Sequence, residues 1–128
     1  MTMRALIGVA TVVLAANSDA ASPTKFRGFC TETAFALHGL GETRLIRGAP
    51  LDAVPLFDDA LRARQQPAGD PVLAAESQFG LARALWQSGG DRKKARVLAT
   101  AALKKYREEQ RPQQREVEAW LADHFARN

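Results

Sequence analysis

Apolar residues return at helical intervals in five stretches of the chain, and no window shows the strict alternation of a half-buried strand. Between Ala34 and Leu45, Leu37, Leu40 and Leu45 keep near-helical spacing with Gly41, Gly48 supplies a stop, and Pro50 opens the next element. From Leu51, the residues Ala53, Leu56, Phe57, Ala60 and Leu61 form an amphipathic stripe opposed by Asp52, Asp58, Asp59, Arg62 and Arg64. Pro55 lies about a turn inside this second helix, near the end where a missing N–H is best tolerated. Asp70-Pro71 offers an N-cap acceptor followed by a residue preset for the first helical position, and the third helix begins there. Its expected inner face is Ala75, Phe79, Ala82, Leu85 and Trp86. Gly89-Gly90-Asp91 ends it and caps a fourth helix with the stripe Ala95, Leu98, Ala99, Ala102, Leu103 and Tyr106. Pro112 suits the start of a fifth, in which Val117, Trp120, Leu121 and Phe125 keep the same period.

Two of these hairpins are versions of one unit. Leu40-Gly41 through Gly48 to Ala53, Phe57, Ala60 and Leu61 aligns with Leu81-Ala82 through Gly90 to Ala95, Ala99, Ala102 and Leu103. Small residues at a crossing let helix axes approach at the short end of the usual range, about 8–10 Å. This pattern resembles the tetratricopeptide repeat: Gly41, Ala53 and Ala60 fit it in the first unit, and Ala82, Ala95 and Ala102 in the second. The equivalent alanines Ala53 and Ala95 are 42 residues apart, longer than the family's repeat of about 34. The segment Phe79 to Tyr106, with Glu116 to Leu121, also resembles the repeat tails behind bacterial serine/threonine kinase domains, although no kinase motif is present.

The resemblance implies an all-α fold over residues 34–128: a short helical-hairpin solenoid of two tetratricopeptide-like repeats plus a C-terminal capping helix. It implies a non-catalytic protein–protein interaction module that binds a protein or peptide segment on its concave face. The residues it turns toward that face are Phe35, His38, Glu42, Leu45 and Ile46 in the first unit, and Phe79, Arg83, Trp86 and Gln87 in the second. Trp86 would be the apolar anchor, with Arg83 and Glu42 setting selectivity. Members that grip a peptide carboxylate use paired Lys and Asn, and His38, Glu42 and Arg83 depart from that set. Two units make a short groove, so self-association is a further expectation. The alternatives are a truncated remnant of a kinase-associated array, or a basic helix that binds polyanions or membrane surfaces.

The N-terminus changes the expected compartment. Arg4 precedes an apolar run from Ala5 to Ala16, and small residues follow at Ser18, Ala20 and Ala21, the layout of a secretory signal peptide over residues 1–20. That run is shorter than the roughly 20 residues a bilayer span needs, so no stable membrane span is expected. Residues 21–33 read as a linker or irregular segment. The protein is then secreted or periplasmic; if the run is instead a buried helix, it is cytoplasmic.

Charge and chemistry narrow the function classes. The 128-residue chain carries a formal charge of +4, and the whole surplus lies from Asp91 onward. Arg92, Lys93, Lys94, Arg96, Lys104, Lys105 and Arg107 crowd the fourth helix, yet no aromatic side chain alternates with them for base stacking, which argues against nucleic acid. A single cysteine, Cys30, excludes an intrachain disulfide. The only histidines, His38 and His124, have no second ligand at metal spacing, and no Gly-x-Ser-x-Gly elbow or phosphate-binding glycine loop occurs. No cofactor, metal or catalytic residue is expected.

Overall fold

Asp70 and Asp91 set where two helices begin. Each sits in extended backbone and accepts a hydrogen bond from the following turn, Asp70 Oδ1 from the Val72 N–H at 2.8 Å and Asp91 Oδ1 from the Lys94 N–H at 2.9 Å. In the computed structural model, which describes residues 30–125, they open the third and fourth of five helices. These are α1 (Cys30–Ile46), α2 (Pro50–Arg64), α3 (Pro71–Gln87), α4 (Arg92–Glu108) and α5 (Gln113–Phe125). No strand occurs among the described residues, so the fold is all-α, as the periodicity predicts. Pro50 and Pro71 stand at the starts of α2 and α3, and α2 continues through Pro55. Helix α1 begins four residues before the expected Ala34, so Cys30 to Thr33 leave the expected irregular segment. The signal-peptide reading of residues 1–20, and residues 21–29, lie outside the described residues.

The turns repeat as well as the helices. Backbone bonds of 2.8 Å run from Ala49 N–H to Arg44 C=O, from Gly90 N–H to Leu85 C=O and from Arg111 N–H to Tyr106 C=O, each closing a helix with the same wrapped-back stop. The pivot residue has positive φ every time: 75° at Gly48, 75° at Gly89 and 53° at Gln110. Glycine takes that conformation freely, whereas Gln110 bears a Cβ strain of about 1–2 kcal/mol.

Consecutive helices pack against one another, α2 on α3, α3 on α4 and α4 on α5. Ala53, Ala60, Ala82, Ala95, Ala99 and Ala102 have no exposed surface, which places methyl groups alone at the crossings and lets the axes close. Burying an aromatic side chain stabilises most where the cavity is fully filled, and Phe57 is such a case. Its ring is wholly buried between two glycines: a Cβ at Gly41 of α1 would lie 2.9 Å from it, and one at Gly80 of α3 would lie 2.5 Å from it. Three helices thus lock on one ring.

The outer face of α1 differs from the sequence expectation. Leu40 is 49% exposed, while Ala34, Gly41 and Leu45 face the core. Among the described residues α1 packs on one side, and its inward stripe is centred on the small residues. Leu85, Trp86, Leu98, Trp120, Leu121 and Phe125 are only partly buried.

Candidate functional site

Along the seam where α1 meets α3, five charged or titratable side chains form one network, with His38 at its centre against the buried Phe57. His38 and Glu42 share one face of α1 at i, i+4 spacing, Glu76, Ser77 and Arg83 come from α3, and Arg64 reaches in from the last turn of α2. The edge of the His38 ring meets Phe57 with centroids 5.1 Å apart and planes at 69°. His38 Nδ1 is 3.3 Å from Ser77 Oγ, and His38 Nε2 is 3.2 Å from Glu76 Oε1 and 3.7 Å from Glu42 Oε1. Arg64 Nη1 donates to Leu73 C=O at 3.1 Å, to Glu76 Oε1 at 3.2 Å and to Ser77 Oγ at 2.9 Å. Arg83 Nη2 donates to Glu42 Oε1. The chain of contacts runs Arg83, Glu42, His38, Glu76, Arg64, with two cations facing two carboxylates.

That balance leaves the imidazole neutral. Burial pushes the His38 pKa below 6.5, the nearby Arg64 and Arg83 cations push the same way, and Glu76 and Glu42 oppose them without reversing the outcome. The network then assigns the ring proton to Nε2. Ser77 Oγ accepts from Arg64 and donates its own hydrogen to Nδ1, which leaves the Nε2–H to face Glu76. Serine, histidine and glutamate stand in line here, but Ser77 has no exposed surface, so its hydroxyl is out of a substrate's reach. The arrangement holds α1 against α3.

Three donors in the seam have no hydrogen-bond partner among the described residues: Arg64 Nε and Nη2, and Arg83 Nε. Each guanidinium instead lies over an aromatic face, Arg64 over Phe35 and Arg83 over Phe79, both with the central carbon 4.9 Å from the ring centroid. Glu42 and Glu76 keep 35% and 41% of their side-chain surface exposed, and Phe35 is 52% exposed.

The nine residues expected to face a partner divide into four groups. His38, Glu42 and Arg83 do come together in the seam, with Phe35 at its end beside Arg64. Leu45 and Phe79 are corrected to core, 9% and 5% exposed, because α2 covers the first and α4 and α5 cover the second. Trp86 is half-buried, with α5 packed over it: its ring centroid lies 4.8 Å from that of His124, 5.0 Å from Phe125 and 6.2 Å from Trp120. Ile46 at 84% and Gln87 are exposed at helix ends, away from this network. Sequence reasoning missed Arg64, Glu76 and Ser77. Arg64 looked like a member of the polar face of α2, yet it is 5% exposed.

No group of three His, Cys, Asp or Glu side chains able to hold a metal ion occurs among the described residues, and no described helix is long and apolar enough to cross a membrane. A cleft of about 360 Å³ adjoins the α2–α3 connector, bordered by Gln65, Gln66, Gly69 and Lys105. No family model, curated protein or solved structure matches the chain.

Proposed function

We propose that this chain is a non-catalytic interaction module of the tetratricopeptide kind, which holds a segment of another protein along the α1–α3 seam. The observation that carries the reading is Phe35: a large aromatic ring, 52% exposed, fixed over the Arg64 guanidinium at the end of a pre-organised ion-pair chain. An exposed aromatic held still by its neighbours contributes contact area to a partner at little entropic cost. The partly exposed carboxylates of Glu42 and Glu76 add fixed acceptors along the same seam, which favours a segment that pairs an apolar side chain with a donor. A second copy of the chain would satisfy the same chemistry.

The test is a photo-cross-linking amino acid placed at Phe35 in the full chain, with the exposed Asp59 on α2 as the control position. A discrete adduct formed from position 35 and absent from position 59 supports the reading, and an adduct of doubled mass identifies the partner as another copy. No adduct, or the same adducts from both positions, sinks it.

A further inference from the structure

The strongest charge asymmetry on the molecule lies outside the seam, on α4. Of its 17 residues seven are Lys or Arg and one, Glu108, is acidic. Two of the seven cations have acidic partners, Lys105 with Glu108 at 2.9 Å and Arg107 with Glu118 at 2.7 Å. Among the described residues the side-chain cations of Arg92, Lys93, Lys94, Arg96 and Lys104 form no ion pair within 4 Å, and the nearby Asp91 carboxylate is bonded to the Lys94 backbone N–H instead. Three of these five occupy the first turn, where the helix dipole disfavours cations and the capping Asp91 is the one acidic residue beside them.

We propose that the outward face of α4 docks on an anionic lipid surface. Lys93, Val97, Thr100 and Lys104 recur at i, i+4, i+7 and i+11 and form one exposed row ~16 Å long. The cations at its two ends flank an exposed apolar centre, Val97, at 63%. Beside the row, Arg92 is laid over the Trp86 ring at 4.2 Å and Arg96 over the Phe125 ring at 5.6 Å. Held in this way, their forked donors are pre-organised for phosphate oxygens. Clustered Lys and Arg draw a protein to anionic headgroups, and the exposed valine has an apolar partner at the headgroup–acyl boundary. A nucleic acid offers Val97 no such partner along its phosphates. The one tyrosine of this helix, Tyr106, is buried at 2% and cannot stack on a base. None of these residues belongs to the α1–α3 seam, so this inference does not depend on the interaction reading.

The experiment is co-sedimentation of the full chain with phosphatidylcholine vesicles, with and without phosphatidylserine, at low and raised salt. A double variant, Lys93→Glu with Lys104→Glu, is compared with Arg44→Glu with Arg47→Glu on exposed positions of and just after α1, which changes net charge equally. The expected result is binding that requires phosphatidylserine, weakens with salt and falls about tenfold or more in the α4 variant alone. Equal binding to both vesicle types overturns the proposal, and so does equal loss in both variants. Tighter binding to duplex DNA than to phosphatidylserine vesicles, lost in the α4 variant, overturns it in favour of nucleic acid.

Discussion

Gly80→Ala should destabilise this protein even though it removes a glycine from the middle of a helix. By propensity alone the change favours folding by about 1 kcal/mol, and at Gly39 of α1, where an added Cβ meets nothing within 4 Å, that gain should appear in full. At Gly80 the new methyl group would lie 2.5 Å from Cε1 and 2.6 Å from Cδ1 of Phe57. The ring is wholly buried and also packs closely on Gly41, where an added Cβ would lie 2.9 Å from it, so it has little room to move aside. Overpacking of this kind costs about 1–3 kcal/mol. Net of propensity, Gly80→Ala should lose about 1 kcal/mol against wild type and about 2 kcal/mol against Gly39→Ala. Urea unfolding followed by far-ultraviolet circular dichroism measures all three, and an unchanged slope confirms that the shift in midpoint reports stability. Adding Phe57→Leu to Gly80→Ala should recover part of the loss, a coupling of at least about 0.5 kcal/mol. If Gly80→Ala stabilises as much as Gly39→Ala, Phe57 does not lock the three helices.

Two titrations test the electrostatics. His38 has a folded pKa below 6.5 because of burial, so the unfolded chain binds the extra proton first. The stability contributed by the neutral ring is present above 6.5 and is lost as pH falls from there toward the folded pKa. Unfolding free energy should therefore drop more steeply on acidification in the wild type than in His38→Gln, and parallel curves would refute the neutral imidazole. Tyr106, the sole tyrosine, has its phenol pushed up to about 12, chiefly by burial and secondarily by Glu76 and Glu116. Its stabilising effect holds below 10.0 and fades as pH rises toward about 12. Tyrosinate absorbance should show a native midpoint near that upper value and a denatured midpoint near the ordinary one, and a native midpoint already at the ordinary value would contradict the buried site.

Much of the candidate site was legible as spacing but not as contact. His38 and Glu42 at i, i+4, and Arg83 one repeat further on, were expected on one surface, and they meet there. Arg64 was not expected, because on its own helix it follows Asp58, Asp59 and Arg62 around what looks like a solvent face. It is buried because the last turn of α2 passes under the start of α3, where Ser77 and Leu73 C=O receive its hydrogen bonds. Trp86 fits both an inner-face position and a groove anchor by spacing, and the rings of α5 that pack over it leave it half-buried.

The sequence by itself determined the helices and most of their ends, although α1 starts at Cys30 rather than at Ala34. Capping aspartates, first-turn prolines, two stop glycines and the 3.6-residue period are local signals, each satisfied within a turn or two of backbone. It also determined which helices could cross closely, since alanine at a crossing position limits nothing. Only the tertiary structure decided which polar side chains would be enclosed and which apolar ones left bare. A periodic pattern divides a helix into sides relative to its own axis, whereas burial depends on which neighbour arrives at each side. So Arg64 went inside, Leu40 stayed outside, and Gly80, with no pattern to mark it, became the position against which Phe57 is packed.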